Sequence, residues 1–88
     1  MTEKKVTVPN RLGIHARPAA LLVKAAAEYA SDIHILFGGD RVNAKSIMGV
    51  MTLAAGKGAE LTIEAEGPDE GEAVEALAAI VRDGFGED

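Results

Sequence analysis

Two short segments of this 88-residue sequence bring together side chains able to do chemistry. In the first, Gly13-Ile14-His15-Ala16-Arg17-Pro18-Ala19-Ala20, a histidine is followed closely by an arginine and a proline. Proline has no N–H to lose and suits the first turn of a helix, so the spacing predicts a helix that begins at residue 15 or 16. His15 then stands where backbone N–H groups lack intrahelical partners and the helix dipole contributes about half a positive charge. A phosphate attached to His15 would find those N–H groups and the guanidinium of Arg17, which grips phosphate oxygens with two parallel donors. The same positive surroundings disfavour an imidazolium and leave a neutral ring with a lone pair for attack. Phosphoryl transfer asks mainly for positioning and charge stabilisation, and this trio supplies both. The plainer reading is an exposed histidine beside a helix end; residue types and spacing leave both open.

The second segment is Asn43-Ala44-Lys45-Ser46-Ile47-Met48-Gly49-Val50-Met51. Ser46 suits the N-cap of a short helix, with Ile47, Val50 and Met51 expected to pack inward and Met48 to stay exposed. Exposed methionine adapts to several partners, which makes a docking role plausible on chemical grounds. Ser46 is also a sound place for a phosphate, because a dianion at a helix start is tolerated while the surface charge changes. Capping and packing account for the segment by themselves, and most of the run is assigned to packing. His34, in the middle of an alternating stretch without phosphate-gripping neighbours, reads as structural or solvent-facing.

Composition narrows the alternatives. There is no cysteine, which excludes a thiolate nucleophile and a cysteine zinc site, and two histidines argue against a histidine-rich metal cage; no metal and no cofactor is expected. No paired acid and base or nucleophile triad can be assembled, which argues against a small hydrolase. The net charge is −5 and the aromatics are Tyr29, Phe37 and Phe85 only. Nucleic-acid binders need a basic patch and, for single strands, stacking aromatics, so protein partners with positive surface or small ligands are expected instead. No apolar run reaches the roughly 20 residues of a membrane span, and Met1-Thr2-Glu3-Lys4-Lys5 lacks the apolar stretch of a signal peptide. The expectation is a cytoplasmic monomer.

The elements that must position these residues follow from periodicity. Lys4–Val8 alternates as a strand and Ala16–Ala30 reads as a helix with Leu22, Ala26 and Tyr29 on one stripe. Asp32–Phe37 alternates again, turns at Gly38-Gly39-Asp40 and returns through Arg41-Val42-Asn43 as a hairpin. After the short Ser46 helix, Gly56-Lys57-Gly58 breaks the chain before a strand over Glu60–Glu66. Pro68-Asp69 opens the last helix, with Asp69 and Glu72 placed as a capping box and Val74, Leu77, Ala78, Val81 and Phe85 on its buried stripe. Gly84 and Gly86 end it. The sum is one α+β domain with an antiparallel sheet.

At the His15 and Ser46 segments the sequence resembles HPr, the histidine-containing phosphocarrier family of the phosphoenolpyruvate-dependent phosphotransferase system. The resemblance runs over essentially all 88 residues, with both motifs in the family's order and separation. It implies an HPr-like open-faced β-sandwich: a four-stranded antiparallel sheet with three helices on one face, in the order βαββαβα, filled by residues 1–88 as a single domain. It further implies that enzyme I phosphorylates His15 on Nδ1 and that a IIA protein or domain receives the group. In that reading Arg17 binds the phosphate, the backbone N–H groups of Ala16 and Arg17 approach it, and Ile47 and Met48 form a docking patch. Ser46 matches the serine modified by HPr kinase/phosphorylase. The protein is then a carrier with a phosphohistidine intermediate, not a free-standing enzyme. Leu53-Ala54-Ala55-Gly56-Lys57-Gly58 is similar to proteobacterial members, the nitrogen-related branch among them, so sugar and nitrogen branches stay open. The alternative is a regulatory binding module, in the nitrogen-related or catabolite-control branch, acting through the Ser46 and Met48 surface.

Overall fold

The computed structural model describes residues 1–87. The alternating stretches form β1 (Thr2–Thr7), β2 (Asp32–Phe37), β3 (Asp40–Asn43) and β4 (Glu60–Glu66). The helical stretches form α1 (Ala16–Ala26), α2 (Ile47–Thr52) and α3 (Glu70–Arg82), followed by a 3₁₀ turn at Gly84–Gly86. All neighbouring strands run antiparallel in the order β1-β4-β2-β3. The register sets Val6 opposite Leu61 and Ile63 opposite Ile35. Because side chains alternate across a strand, this places Val6, Ile33, Ile35, Leu61, Ile63 and Ala65 on one buried face. The three helices cover that face with Leu22, Val50, Val74, Leu77 and Val81, and the core is almost wholly aliphatic. The opposite face stays open and polar. There Glu64, mostly buried, accepts from Arg41 Nε at 2.7 Å.

The element order and sheet are those expected; several boundaries differ. β1 spans Thr2–Thr7 instead of Lys4–Val8, although Val8 N–H still donates to the Ala59 carbonyl and the Val8 carbonyl accepts from Gly58 N–H. α1 stops at Ala26 rather than Ala30. The amides of Glu28 and Tyr29 turn to i−3 carbonyls, and those of Ala30 and Ser31 are captured by the Asp69 carboxylate at 2.9 Å each. Tyr29 therefore packs beside the core from a turn, not from the helix. The same engagement removes the expected Asp69–Glu72 capping box: Asp69 makes no side-chain cap bond to α3. Instead Glu70 Oε1 accepts from Gly67 N–H at 3.2 Å. Phe85 is buried, but from the 3₁₀ turn beyond α3, whose last residue is Arg82.

Candidate functional site

His15 is the N-cap of α1, and Ala16, Arg17 and Pro18 are its first three helical residues. Its entry angle is set by the preceding loop. Gly13 has φ +68°, and a Cβ there would lie 2.3 Å from the Ala55 carbonyl oxygen, a close approach that only glycine allows. Ile14 N–H donates to that same Ala55 carbonyl at 2.8 Å, and Gly13 N–H donates to the Asn10 carbonyl at 3.2 Å. The loop is thus tied to the chain between α2 and β4 immediately before the histidine.

The His15 side chain makes no capping bond, and the N–H groups of Ala16 and Arg17 donate to no acceptor among the described residues. Pro18 has no N–H, so nothing competes in that first turn. Arg17 is exposed and forms no ion pair among the described residues. The imidazole is 39% exposed and therefore reachable. These are the parts expected from the sequence, brought together at one helix start.

One expectation is corrected here. The ring was expected in the positive surroundings of a helix start and Arg17, yet the carboxylate oxygen Glu87 Oε1 also lies 3.0 Å from His15 Nε2. The same oxygen accepts from Asn10 Nδ2 at 2.9 Å, and Asn10 Nδ2 also donates to the Gly13 carbonyl at 2.9 Å. The hydrogen bond from His15, aided by Asn10 and the charges of His15 and Arg17, holds the Glu87 carboxyl below its ordinary range despite partial burial. Sequence reasoning passed over both Asn10 and Glu87. The available signal was Gly84-Phe85-Gly86, read as a helix stop. All three residues have positive φ (68°, 59° and 74°), and the buried Phe85 pins the turn that returns the chain to His15.

Ser46 caps α2 as expected, accepting from Gly49 N–H at 3.1 Å. Val50 is fully buried, but Ile47 and Met51 are not inward-facing: each is 42% exposed, beside Met48 at 72%. A helix of six residues with one buried position cannot hide three further apolar side chains. α2 packs against α1, so this apolar surface belongs to the helix layer that carries His15. His34 lies between Glu64 and Asn43 on the open sheet face, remote from α1 in the topology.

A family model described as the PTS HPr component phosphorylation site matches residues 2–83. The chain belongs to the HPr family. It is 47% identical to the phosphocarrier protein HPr of Cupriavidus necator over 87 residues, covering 99% of this chain and 98% of that one. It is 51% identical to the phosphocarrier protein HPr of Treponema pallidum over 88 residues and the whole of both chains. Among solved structures, HPr-C-His from Thermoanaerobacter tengcongensis superposes with a TM-score of 0.95 at 43% identity, covering 100% of this chain and 99% of that one. The HPr architecture expected from the resemblance is therefore the architecture found. No helix among the described residues is long and apolar enough to cross a membrane.

Proposed function

We propose that this chain is a phosphocarrier of the phosphotransferase system that receives a phosphoryl group on His15 from phosphorylated enzyme I and gives it to a IIA protein or domain. The observation that carries the reading is a reachable imidazole at the N-cap of α1, with N–H groups at Ala16 and Arg17 and an Arg17 guanidinium that have no partner among the described residues. Those donors stabilise added negative charge without enclosing it, which is what a group held at high transfer potential requires. Attack by the ring nitrogen forms the N–P bond as the donor's bond to phosphorus breaks, and Arg17 neutralises the phosphoryl oxygens throughout. Ile47 and Met48 supply apolar docking surface for the partner proteins. The chain works in the cytoplasm as a monomer.

The test is incubation with enzyme I, magnesium and phosphoenolpyruvate. One acid-labile phosphoryl group is expected, lost in His15→Ala and retained in Ser46→Ala; labelling that persists without His15 defeats the reading. Regulation at Ser46 is a second part of the proposal, favoured by the position of its hydroxyl beside exposed Ile47 and Met48. A phosphate there places a charge of about −2 on a surface used for docking, so Ser46→Asp is expected to be charged by enzyme I more slowly. An unchanged rate removes this part while leaving the carrier intact.

A further inference from the structure

The arrangement around Nε2 carries more than a contact. A carboxylate can only accept hydrogen bonds, so with Glu87 Oε1 at 3.0 Å the proton of the neutral ring must reside on Nε2. The lone pair is then on Nδ1, the nitrogen that makes no capping bond. Glu87 is itself held. Its Oε1 takes a second hydrogen bond from Asn10 Nδ2, and Asn10 is 1% exposed with its Nδ2 also fixed on the Gly13 carbonyl. The opposite amide orientation would turn Oδ1 towards a carbonyl and a carboxylate, so the donor edge is the only one that fits. Two elements far apart in sequence, the loop before α1 and the left-handed turn after α3, thus meet at the Glu87 carboxylate beside one ring nitrogen.

We propose that Glu87, positioned by Asn10, fixes His15 as the Nε2–H tautomer, and so directs the phosphoryl group to Nδ1 and balances the ring charge that appears on transfer. The inference rests on His15 being the acceptor. In the step, the Nδ1 lone pair forms the new N–P bond while the phosphohistidine donor's P–N bond breaks and its electron pair stays on the donor nitrogen. Nε2 keeps its proton, the ring becomes a phosphorylated imidazolium, and the Glu87 carboxylate lies beside the new positive charge. In the onward step the acceptor's nucleophile takes the phosphorus, the Nδ1–P electrons return to Nδ1, and the neutral Nε2–H ring is restored. No proton moves at Nε2 in either direction. Glu87 and Asn10 are positioning residues, acting as an orienting carboxylate acts behind a catalytic histidine.

Glu87 lies outside the helices and strands, so its replacement leaves the core intact. The experiment compares wild type, Glu87→Ala and Glu87→Gln by ¹⁵N NMR of the His15 ring and by the rate of labelling from phosphorylated enzyme I. In wild type with the ring neutral, Nδ1 is expected to resonate as the unprotonated nitrogen and Nε2 as the protonated one. In Glu87→Ala both are expected to move towards the averaged positions of a freely exchanging ring, and labelling to slow roughly five- to tenfold, the effect of losing one charge-assisted hydrogen bond near solvent. Glu87→Gln, which keeps an acceptor oxygen without the charge, is expected to retain the tautomer and recover part of the rate. Labelling of Glu87→Ala on His15 at the wild-type rate, or an unaltered tautomer in that variant, overturns the inference while the carrier reading stands. Labelling that survives His15→Ala defeats the carrier reading itself.

Discussion

Gly13→Ala should damage both stability and phosphoryl acceptance, because the position is constrained twice. Its φ of +68° disfavours any side chain, at a cost of about 1–2 kcal/mol. The added Cβ would also start 2.3 Å from the Ala55 carbonyl oxygen and 2.7 Å from Gly56 Cα, both backbone atoms that cannot swing aside. Relief to a 3.0 Å contact demands at least 0.7 Å of separation between the two loops. That movement breaks or stretches the 2.8 Å hydrogen bond from Ile14 N–H to the same carbonyl, worth about 1 kcal/mol. The sum, about 2–3 kcal/mol, corresponds to a fall in melting temperature of roughly 10–20 °C for a domain of this size. His15 is two residues away, so the same displacement moves the ring relative to the α1 amides, and misplacements near 1 Å can cost up to about 100-fold in rate. The assay pairs a thermal melt with labelling from enzyme I. Gly38→Ala is the control, since φ there is also positive (+59°) but nothing lies within 4 Å of the added Cβ; it bears only the conformational cost of about 1–2 kcal/mol, so it should melt lower by about 4–16 °C, less than Gly13→Ala, and label normally. If Gly13→Ala matches Gly38→Ala in both measurements, the loop contact does not position the histidine.

Acid should weaken the fold through carboxylates that are held below their ordinary range. Asp69 is lowered first by the Ser31 hydroxyl, Glu70 by Thr2 and Glu87 by His15. Each such group contributes stability that is present above its unfolded value and lost as pH falls through its folded one. The advantage of wild type over Ser31→Ala in denaturant melts should therefore be largest near neutral pH and shrink once the pH drops below the ordinary aspartate value of 3.8. Removing the ring in His15→Ala should let the Glu87 carboxyl climb back towards its ordinary value of 4.5, measurable by carbon NMR titration. Leu77→Ala, at a fully buried position under the sheet, should cost about 2–5 kcal/mol in urea unfolding. Met48→Ala, 72% exposed, should stay within about 0.5 kcal/mol of wild type yet bind enzyme I more weakly.

What could be read from the sequence divides by range. The strands were legible because Ile33 and Ile35, or Leu61, Ile63 and Ala65, alternate with polar neighbours, and alternation is a local consequence of the pleat. The entrance of α1 was legible for the same reason: Pro18 and the free amides ahead of it are a property of four consecutive residues. The failures involve competition between distant groups. Asp69 suits a helix cap by its local context, but Ala30 and Ser31, 39 and 38 residues earlier, offer it two amides and a hydroxyl. That exchange shortens α1 and removes the capping box in one stroke. Phe85 has helical spacing from Val81 and is buried, but Gly84 turns the chain left-handed before it; a hydrophobic period reports which residues are inside, not by which backbone path they arrive.

The histidine site contains both kinds of information. The half formed by His15, Ala16 and Arg17 is contiguous, and its placement at a helix start could be derived from helix-terminus physics alone. The other half comes from Glu87, 72 residues away, which follows the left-handed turn at Gly84–Gly86. A helix start alone favours an anion but leaves the imidazole free to place its proton on either nitrogen. In the proposed arrangement the carboxylate on Nε2 removes that freedom and leaves Nδ1, on the other side of the ring, clear of it.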